Sequence, residues 1–311
     1  MTSNSSSAPS ATSATVSTST RRTVRPPTLR TRSLQDPASR SAFTRLVRMA
    51  ITVDGQGPFN DQALLDAESG ARRLDFIVEL QESPSAAEHL VGAAILGTDE
   101  LELVIDPEWR GSGYGRAAVA ELIADASPGL KAWSHGDHPA ARALASRFGF
   151  TPIRTLLQLR MPLAGSPNSA PVFDSFRPGT DDVEWVALNA RIFASHPEQG
   201  SITVDDLHRR RAEPWFQNDD FLIARDEEGR MVGYNWLKIE GDLGEIYVIG
   251  VEAPGRGLGK SLMLAGLERM RARGCSTAAL FVEADNEPAV HLYRSLGFSD
   301  HTIDVQYQLG A

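Results

Sequence analysis

The sequence predicts an α+β fold that is built twice along the chain, and two observations carry this prediction. A short apolar strand, a glycine-rich turn and a helical stretch follow one another at two places in the 311 residues. Each copy ends, at a similar distance from its turn, in a Gly-Phe pair, Gly149-Phe150 in the first and Gly297-Phe298 in the second. Self-similarity of this kind indicates an internal repeat, so we expect two domains of the same architecture.

Composition and charge exclude several functional classes. The chain is 41% hydrophobic, enough for packed cores, and it has no run of about 18 apolar residues that could span a membrane. The net charge of -9 argues against general nucleic-acid binding, which needs a basic surface. The single cysteine, Cys275, is expected to be a structural thiol in a reducing compartment. We expect a cytoplasmic monomer that binds neither nucleic acid nor membranes.

Two segments of biased composition divide the chain. Residues 1–40 begin with a Ser/Thr-rich stretch and contain no acidic residue before Asp36, so we predict a disordered tail. Residues 161–175 are rich in Pro, Gly, Ser and Asn, which is typical of a linker. The predicted domains are therefore residues 41–160 and 176–311.

The second domain shows its elements most clearly. Residues 227–230 are typical of a hairpin turn between two strands, and an apolar strand is predicted from Glu245 to Val251. A helix with apolar residues at helical spacing follows the glycine-rich turn. A further strand over 278–282 and a short helix over 287–296 complete the domain.

A strand that enters a Gly-x-Gly-x-Gly turn and then a helix can bind phosphate. Glycines let the backbone approach the anion, and the helix N-terminus contributes partial positive charge. Arg110 and Arg116 in the first copy, and Arg256 and Lys260 in the second, add local positive charge. The spacing differs from the dinucleotide-binding fingerprint, and Pro254 stands where a P-loop requires glycine.

The pattern resembles the GNAT family of acetyl-CoA-dependent N-acetyltransferases. Residues 110–115 carry the family's Arg-x-x-Gly-x-Gly pyrophosphate signature, whereas the second copy has a shorter loop with Pro254 in place of Gln or Arg. The resemblance implies two tandem domains, each a mixed, mostly antiparallel sheet flanked by helices. It also implies a slot beside a splayed strand for the pantetheine arm.

Longer strings resemble one subfamily, the mycothiol synthases, over about residues 45–308. These strings are residues 135–141, 196–200, 236–238, 244–251 and 282–286. The resemblance implies transfer of an acetyl group from acetyl-CoA, the co-substrate, to the cysteinyl amine of Cys-GlcN-Ins (cysteine amide-linked to glucosaminyl-inositol). The products would be mycothiol and CoA. No metal is expected, and His135 and His138 are interpreted as loop or capping residues.

The resemblance also assigns acetyl-CoA contacts in both domains. In the first they are Leu103, Val104, Ile105, Arg110, Gly111, Ser112, Gly113, Tyr114, Gly115 and Arg116. In the second they are Ile249, Gly250, Val251, Gly255, Arg256, Gly257, Leu258, Gly259, Lys260, Asn286, Glu287, Pro288, Ala289, Val290 and His291. For the acceptor the resemblance nominates Asp61, Glu198, Lys238, Glu245 and Phe281.

Acetyl transfer needs a base for the amine and a proton for the departing thiolate. Strand alternation places Glu245, Tyr247 and Ile249 on one face, and the resemblance makes Glu245 the general base and Tyr293 the general acid. Ala145 occupies the position of Tyr293 in the first domain. We therefore predict that the first domain binds acetyl-CoA weakly or structurally and that only the second catalyses.

Two alternatives remain open from the sequence. One is a tandem acetyltransferase that acts on an aminoglycoside or a protein N-terminus, since an acidic protein suits a polycationic acceptor. The other is a CoA-binding sensor without turnover, against which the presence of both Glu245 and Tyr293 counts.

Overall fold

A computed structural model describes residues 27–79, 88–124, 126, 128–164, 170–196 and 199–310. We call residues 27–164 the first half and residues 170–310 the second half. Within these ranges twelve strands and eight α-helices are present. The strands are β1 Thr28–Arg32, β2 Arg73–Glu79, β3 His89–Leu96, β4 Glu100–Ile105, β5 Lys131–Ser134, β6 Phe150–Pro162, β7 Asp174–Ser175, β8 Phe221–Arg225, β9 Met231–Glu240, β10 Leu243–Val251, β11 Thr277–Glu283 and β12 Ser299–Leu309. The helices are α1 Pro37–Asp54, α2 Asp61–Ser69, α3 Tyr114–Leu122, α4 Pro139–Phe148, α5 Asp182–Ile192, α6 Val204–Arg211, α7 Leu258–Ala272 and α8 Glu287–Ser295.

The strands form one mixed sheet in the order β1-β2-β3-β4-β5-β12-β6-β11-β10-β9-β8-β7. Among the described residues, β4 pairs with β5 and β10 with β11 in parallel, and the other pairs are antiparallel. Both parallel pairings are short. Strand β10 pairs with β11 only over Leu243–Ile246, and β4 pairs with β5 only over Glu100–Leu101. Each half therefore contains a mixed sheet with one splayed parallel pair, as the sequence predicts.

The two halves exchange strands, which the sequence repeat does not predict. The last strand of the first half, β6, lies between β11 and β12 of the second half. The last strand of the second half, β12, lies between β5 and β6. The predicted boundary after residue 160 thus falls inside β6, and the halves share one continuous sheet.

The predicted tail extends too far. Strand β1 and the start of α1 lie within residues 1–40, because β1 pairs with β2 and Leu34 is buried in the first core. Asp36 caps α1 by accepting a hydrogen bond of 2.8 Å from the Ser39 amide, with Pro37 in the first helical turn. Residues 1–26 lie outside the described residues. The predicted linker is also shorter, since residues 161–162 belong to β6 and 174–175 to β7.

Several predicted elements of the second half are confirmed. Strands β8 and β9 form a hairpin whose turn places Gly229 at a φ of 81°. Helices α7 and α8 and strands β10 and β11 follow within a few residues of the predicted bounds. Cys275 is buried in the core, and burial raises the pKa of its thiol, which agrees with a structural role. No helix of the described chain is long and apolar enough to cross a membrane.

An aromatic core supports the strands that carry the site. Trp185, Phe221, Tyr234 and Trp236 are each less than 2% exposed, and their rings contact one another edge-on or stacked. On the α7 side of the sheet, the buried Asn235 amide donates a 2.9 Å hydrogen bond to the Leu262 carbonyl. Such packing holds β9 and β10 in fixed positions relative to α7.

Candidate active site

Two cavities on one face of the sheet form the candidate site. The slot cavity, about 860 Å³, lies at the end of β10 beside the second glycine-rich turn. The interhalf cavity, about 690 Å³, lies between the two halves. His196 lines both. On β10 the partly exposed residues alternate with buried ones, so Glu245 and Tyr247 line the interhalf cavity while Ile249 and Val251 line the slot cavity.

The second glycine-rich turn has the geometry of an anion site. Gly255 and Gly257 adopt φ values of 89° and 83°, which glycine accepts without strain. Gly257 is the N-cap of α7 and has no side chain that could accept a capping hydrogen bond. The first amides of the helix therefore face outward without a side-chain partner. Lys260, in the first helical turn, lines the slot cavity. A diphosphate fits such a helix N-terminus.

The first glycine-rich turn has a similar backbone conformation, but a carboxylate lies beside it. Gly111 and Gly113 adopt φ values of 74° and 92°, and Gly113 caps α3. The Arg110 guanidinium donates to both carboxylate oxygens of Asp54, at 2.6 and 2.7 Å. The loop is two residues longer than in the second half and forms a 3-10 turn over Pro107–Trp109. Arg110 is thus already occupied by a carboxylate.

Other predicted first-half residues lie in the core. Val104 and Tyr114 are 4% and 1% exposed, and the Tyr114 hydroxyl donates to Glu79 at 2.5 Å. Leu103 and Ile105 pack against the core cluster that contains Tyr114. Because the Val104 and Tyr114 side chains are buried, any contact from these two residues to a ligand would come from the backbone.

In the second half most, but not all, of the predicted contacts line the slot cavity. Val290 is buried in the hydrophobic core and Leu258 packs against a second apolar cluster, so their side chains point away. Arg256, Glu287 and His291 are exposed beside lining residues. The predicted residues that line the cavity are Ile249, Gly250, Val251, Gly255, Gly257, Gly259, Lys260, Asn286, Pro288 and Ala289.

The structure brings the nominated acceptor residues together in the interhalf cavity. Asp61 comes from α2 of the first half, whereas Lys238, Glu245 and Phe281 come from three strands of the second half. Glu198 lies outside the described residues. The Lys238 ammonium donates to Asp61 Oδ2 at 2.7 Å, which links the two halves across the cavity.

Glu245 has the electrostatic setting of a base at neutral pH. It lies opposite Lys238 in the β9–β10 register. Burial raises its pKa to about 7, with Asp61 and Glu240 adding to the rise and Lys238 opposing it. Burial disfavours the charge on Lys238, but Asp61, Glu245 and Glu240 outweigh that effect and raise the pKa of Lys238.

A β-bulge follows Glu245, at the point where β10 separates from β11. The β9–β10 register shifts between Ile246 and Val248, which leaves Tyr247 as the extra residue. Its hydroxyl accepts a hydrogen bond of 3.1 Å from Arg210 Nε. Because pairing with β11 ends at Ile246, the amides that follow can donate to a developing oxyanion.

Tyr293 combines a packed ring with access to the slot cavity. It is 9% exposed, belongs to the core of the second half and contacts the Phe298 ring edge-on. It also lines the slot cavity. Burial raises the pKa of its hydroxyl to about 12, so the phenol is protonated at neutral pH and can donate. Glu245 and Tyr293 line different cavities, and these cavities share His196.

The sequence did not indicate one ion pair beside His196, where the two cavities meet. Arg154, on the exchanged strand β6, donates to Glu283 with its Nε at 3.0 Å, and its guanidinium lies 5.3 Å from the Trp133 ring centre. His196 Nε2 is 3.7 Å from the same Glu283 oxygen. Arg154 and Glu283 both line the slot cavity. Only the strand exchange brings Arg154 here, so no local pattern could have indicated it.

The two histidines predicted to be loop or capping residues have different surroundings. His138 caps α4, and its Nδ1 accepts from the Ala140 amide at 3.1 Å. His135 lies in the turn after β5 and lines the interhalf cavity, with its Nδ1 2.9 Å from Asp304 and its Nε2 3.5 Å from Glu102. Burial opposes its charge, but both carboxylates outweigh that effect and raise its pKa to about 10. Among the described residues, no group suited to hold a metal ion is found.

A family profile and known proteins match this chain in sequence. The profile of the Acetyltransferase (GNAT) family matches residues 58–150 and 185–298. A mycothiol acetyltransferase of Clavibacter michiganensis subsp. michiganensis is 45% identical over 82% of this chain and 86% of its own length. One of Streptomyces avermitilis is 42% identical over 88% of this chain and 92% of its own length.

Solved structures show the same fold. A GCN5-related N-acetyltransferase from Sphaerobacter thermophilus matches with a TM-score of 0.64 at 21% identity, covering 90% of this chain and 95% of that chain. A tandem GNAT protein from the clavulanic acid biosynthesis pathway matches with a TM-score of 0.66 at 18% identity, covering 91% and 98%. The sequence matches and the tandem fold together place this chain in the GNAT family of acetyl-CoA-dependent N-acetyltransferases.

Proposed function

We propose that the second half transfers the acetyl group of acetyl-CoA to the cysteinyl amine of Cys-GlcN-Ins, giving mycothiol and CoA. One observation carries this proposal. Glu245, a carboxyl with a pKa of about 7, and Tyr293, a phenol that is protonated at neutral pH, line two cavities that share His196. The acceptor follows from the relatives of this chain that are named mycothiol acetyltransferase.

The slot cavity is the proposed acetyl-CoA site. The outward amides at the start of α7 and the Lys260 ammonium would hold the diphosphate. The pantetheine arm would enter where β10 parts from β11 beyond Ile246. This direction brings the thioester towards Tyr293 and towards the free amides of β10.

Each reacting proton then has a named partner. Glu245, with a pKa of about 7, removes a proton from the acceptor ammonium, and the freed amine attacks the thioester carbonyl. The β10 amides stabilise the oxyanion. The new C–N bond forms, the C–S bond breaks, and Tyr293 donates its proton to the departing CoA sulfur. Once Glu245 has passed the first proton to solvent, it takes the second amine proton directly or through water, and the Tyr293 phenolate regains a proton from solvent.

The first half is proposed to serve binding and architecture rather than chemistry. Its equivalent of Tyr293 is Ala145, which is buried in α4 and offers no proton. Its glycine-rich turn keeps the anion-binding backbone, while Arg110 is paired with Asp54. We therefore propose weak acetyl-CoA binding there, within a cytoplasmic monomer whose one chain supplies both walls of the acceptor cavity.

Direct assay of the purified protein tests this function. We expect acetyl-CoA and Cys-GlcN-Ins to give mycothiol and CoA in equal amounts by mass spectrometry, and the Tyr293→Phe variant to lose most of this turnover. Parallel reactions with an aminoglycoside and with a peptide N-terminus address the other acceptors. Acetylation of either in place of Cys-GlcN-Ins would overturn the acceptor assignment. Acetyl-CoA binding without any turnover would indicate a sensor.

A further inference from the structure

Three buried polar atoms in the interhalf cavity make no hydrogen bond. Gln56 Nε2 and Gln158 Oε1 have no hydrogen-bond partner among the described residues, and His135 Nε2 has only a 3.5 Å ion-pair contact with Glu102 Oε2. All three residues line this cavity. Gln158 is 9% exposed. Leaving buried polar atoms unpaired is unfavourable, so their convergence on one cavity points to a ligand that supplies both donors and acceptors.

These atoms lie along the sheet, away from Glu245. Glu245 is on β10, Gln158 is two strands away on β6, and His135 directly follows β5, four strands away. At a spacing of about 4.8 Å between strands, they stand roughly 10 and 19 Å from the strand of Glu245. A ligand whose amine lies at Glu245 would therefore need further polar rings to reach them.

The chemistry of this region favours a neutral ligand. Its charges are already compensated, since Arg72 pairs with Glu100 at 2.7 Å and His135 with Asp304 at 2.9 Å. The atoms without a hydrogen bond are the Gln56 amide nitrogen, the Gln158 amide oxygen and a His135 ring nitrogen, and hydroxyl groups can both donate to and accept from such atoms. Trp133 adds an aromatic ring to the lining. Hydroxyl groups on a compact ring match this combination better than a phosphate or a carboxylate.

We propose that Gln56, His135 and Gln158 form a subsite for the neutral, hydroxyl-rich ring of the acceptor. This inference rests on the proposed function and assigns the recognition of the acceptor's remote end to residues of the first half. Gln158 belongs to the exchanged strand β6, and Asp304, which orients His135 and the Gly136 amide, belongs to β12. The strand exchange thus builds the subsite from both halves.

The test compares two acceptors in three proteins. The acceptors are Cys-GlcN-Ins and cysteinamide, which carries the same amine without either ring. The variants are Gln158→Leu and the matched control Gln308→Leu, whose amide donates to the Gly129 carbonyl and does not line the cavity. We expect Gln158→Leu to lower kcat/KM for Cys-GlcN-Ins about tenfold, mainly through KM. Cysteinamide turnover and the control should not change.

Other results would overturn the subsite. An equal loss for both acceptors would mean that Gln158 is only structural, and no loss would mean that water alone satisfies the three atoms. Gln56→Leu provides the same comparison if Gln158→Leu does not fold. If the wild type acetylates neither acceptor, the proposed function fails. Calorimetric titration of glucosaminyl-inositol then tests the subsite alone, with binding to the wild type and about tenfold weaker binding to Gln158→Leu expected.

Discussion

The two halves share a backbone device but differ in the side chains around it. Both place glycines of positive φ between a splayed strand and a helix N-terminus. In the second half that corner opens into a cavity lined by Lys260 and Tyr293. In the first, Asp54 holds Arg110 and an alanine stands in the position of the tyrosine. This difference supports the proposal that only the second half catalyses, although both halves keep the same backbone conformation at the turn.

The first half nevertheless contributes side chains to the cavity around Glu245. Asp61 from α2 reaches Lys238, and Gln62 accepts a hydrogen bond of 2.9 Å from Arg210. The interhalf cavity consequently has one wall from each half. Four substitutions and one matched pair of charge reversals test the proposed difference between the halves.

Glu245→Gln should have the largest effect, because it removes the only proposed base. We expect kcat to fall about 10²- to 10³-fold. In the wild type, activity should rise with pH through about 7, because Glu245 must lose its proton to act. The variant should lack this limb in a pH profile of kcat/KM. A profile that keeps its acid limb would assign the titration to another group.

Tyr293→Phe should lower kcat about 10²-fold, because it removes the phenol that donates a proton to the leaving thiolate. Acetyl-CoA affinity, measured by calorimetry, should hardly change since the ring still packs against Phe298. The control is Tyr114→Phe in the first half, which removes a hydrogen bond to Glu79 and should affect stability without reducing turnover. Equal turnover of Tyr293→Phe and the wild type would exclude the acid role.

Asp61→Ala should raise KM for the acceptor about tenfold, because it removes the first-half partner of Lys238. Asp61 also raises the pKa of Glu245, so its loss should move the acid limb of the pH profile to lower pH. Steady-state kinetics between pH 5 and 9 measure both effects. A shift to higher pH would contradict the proposed electrostatics of the cavity.

Asp54→Asn should have the smallest effect on turnover and a specific effect on binding. It frees Arg110, so acetyl-CoA should bind the first half several-fold more tightly, visible as a stronger second site in calorimetry. The partly exposed ion pair contributes below about 1 kcal/mol, so the melting temperature should change little. An unchanged second site would mean that Asp54 does not compete with the diphosphate.

The sequence predicts the local features of this fold well and its long-range pairings poorly. The repeat, the hairpin at Gly229 and the helices after each glycine-rich turn follow from short patterns. Strand exchange does not, because β6 and β12 carry no signal for which neighbour they will pair with. The edge strand β1 has a polar sequence and pairs on one side only, so its sequence resembles that of the tail before it.

The candidate site likewise contains residues that the sequence predicts and contacts that it does not. The resemblance nominates Asp61, Lys238 and Glu245 for one acceptor site, and all three line the interhalf cavity. The Arg154–Glu283 contact joins residues 129 positions apart, and the Asp54–Arg110 pair joins residues 56 apart. Such contacts depend on tertiary packing, which no local pattern encodes.

A matched charge reversal at the two glycine-rich turns distinguishes catalysis by the second half from catalysis that depends on both turns. Arg116 and Lys260 occupy the same position after the glycines, one in each half, and both are exposed. With saturating acceptor, Lys260→Glu should lower kcat/KM for acetyl-CoA at least tenfold, because it places a negative charge beside the diphosphate. Arg116→Glu should leave this constant unchanged. An equal loss in both variants, or a loss in Arg116→Glu alone, would contradict catalysis by the second half only.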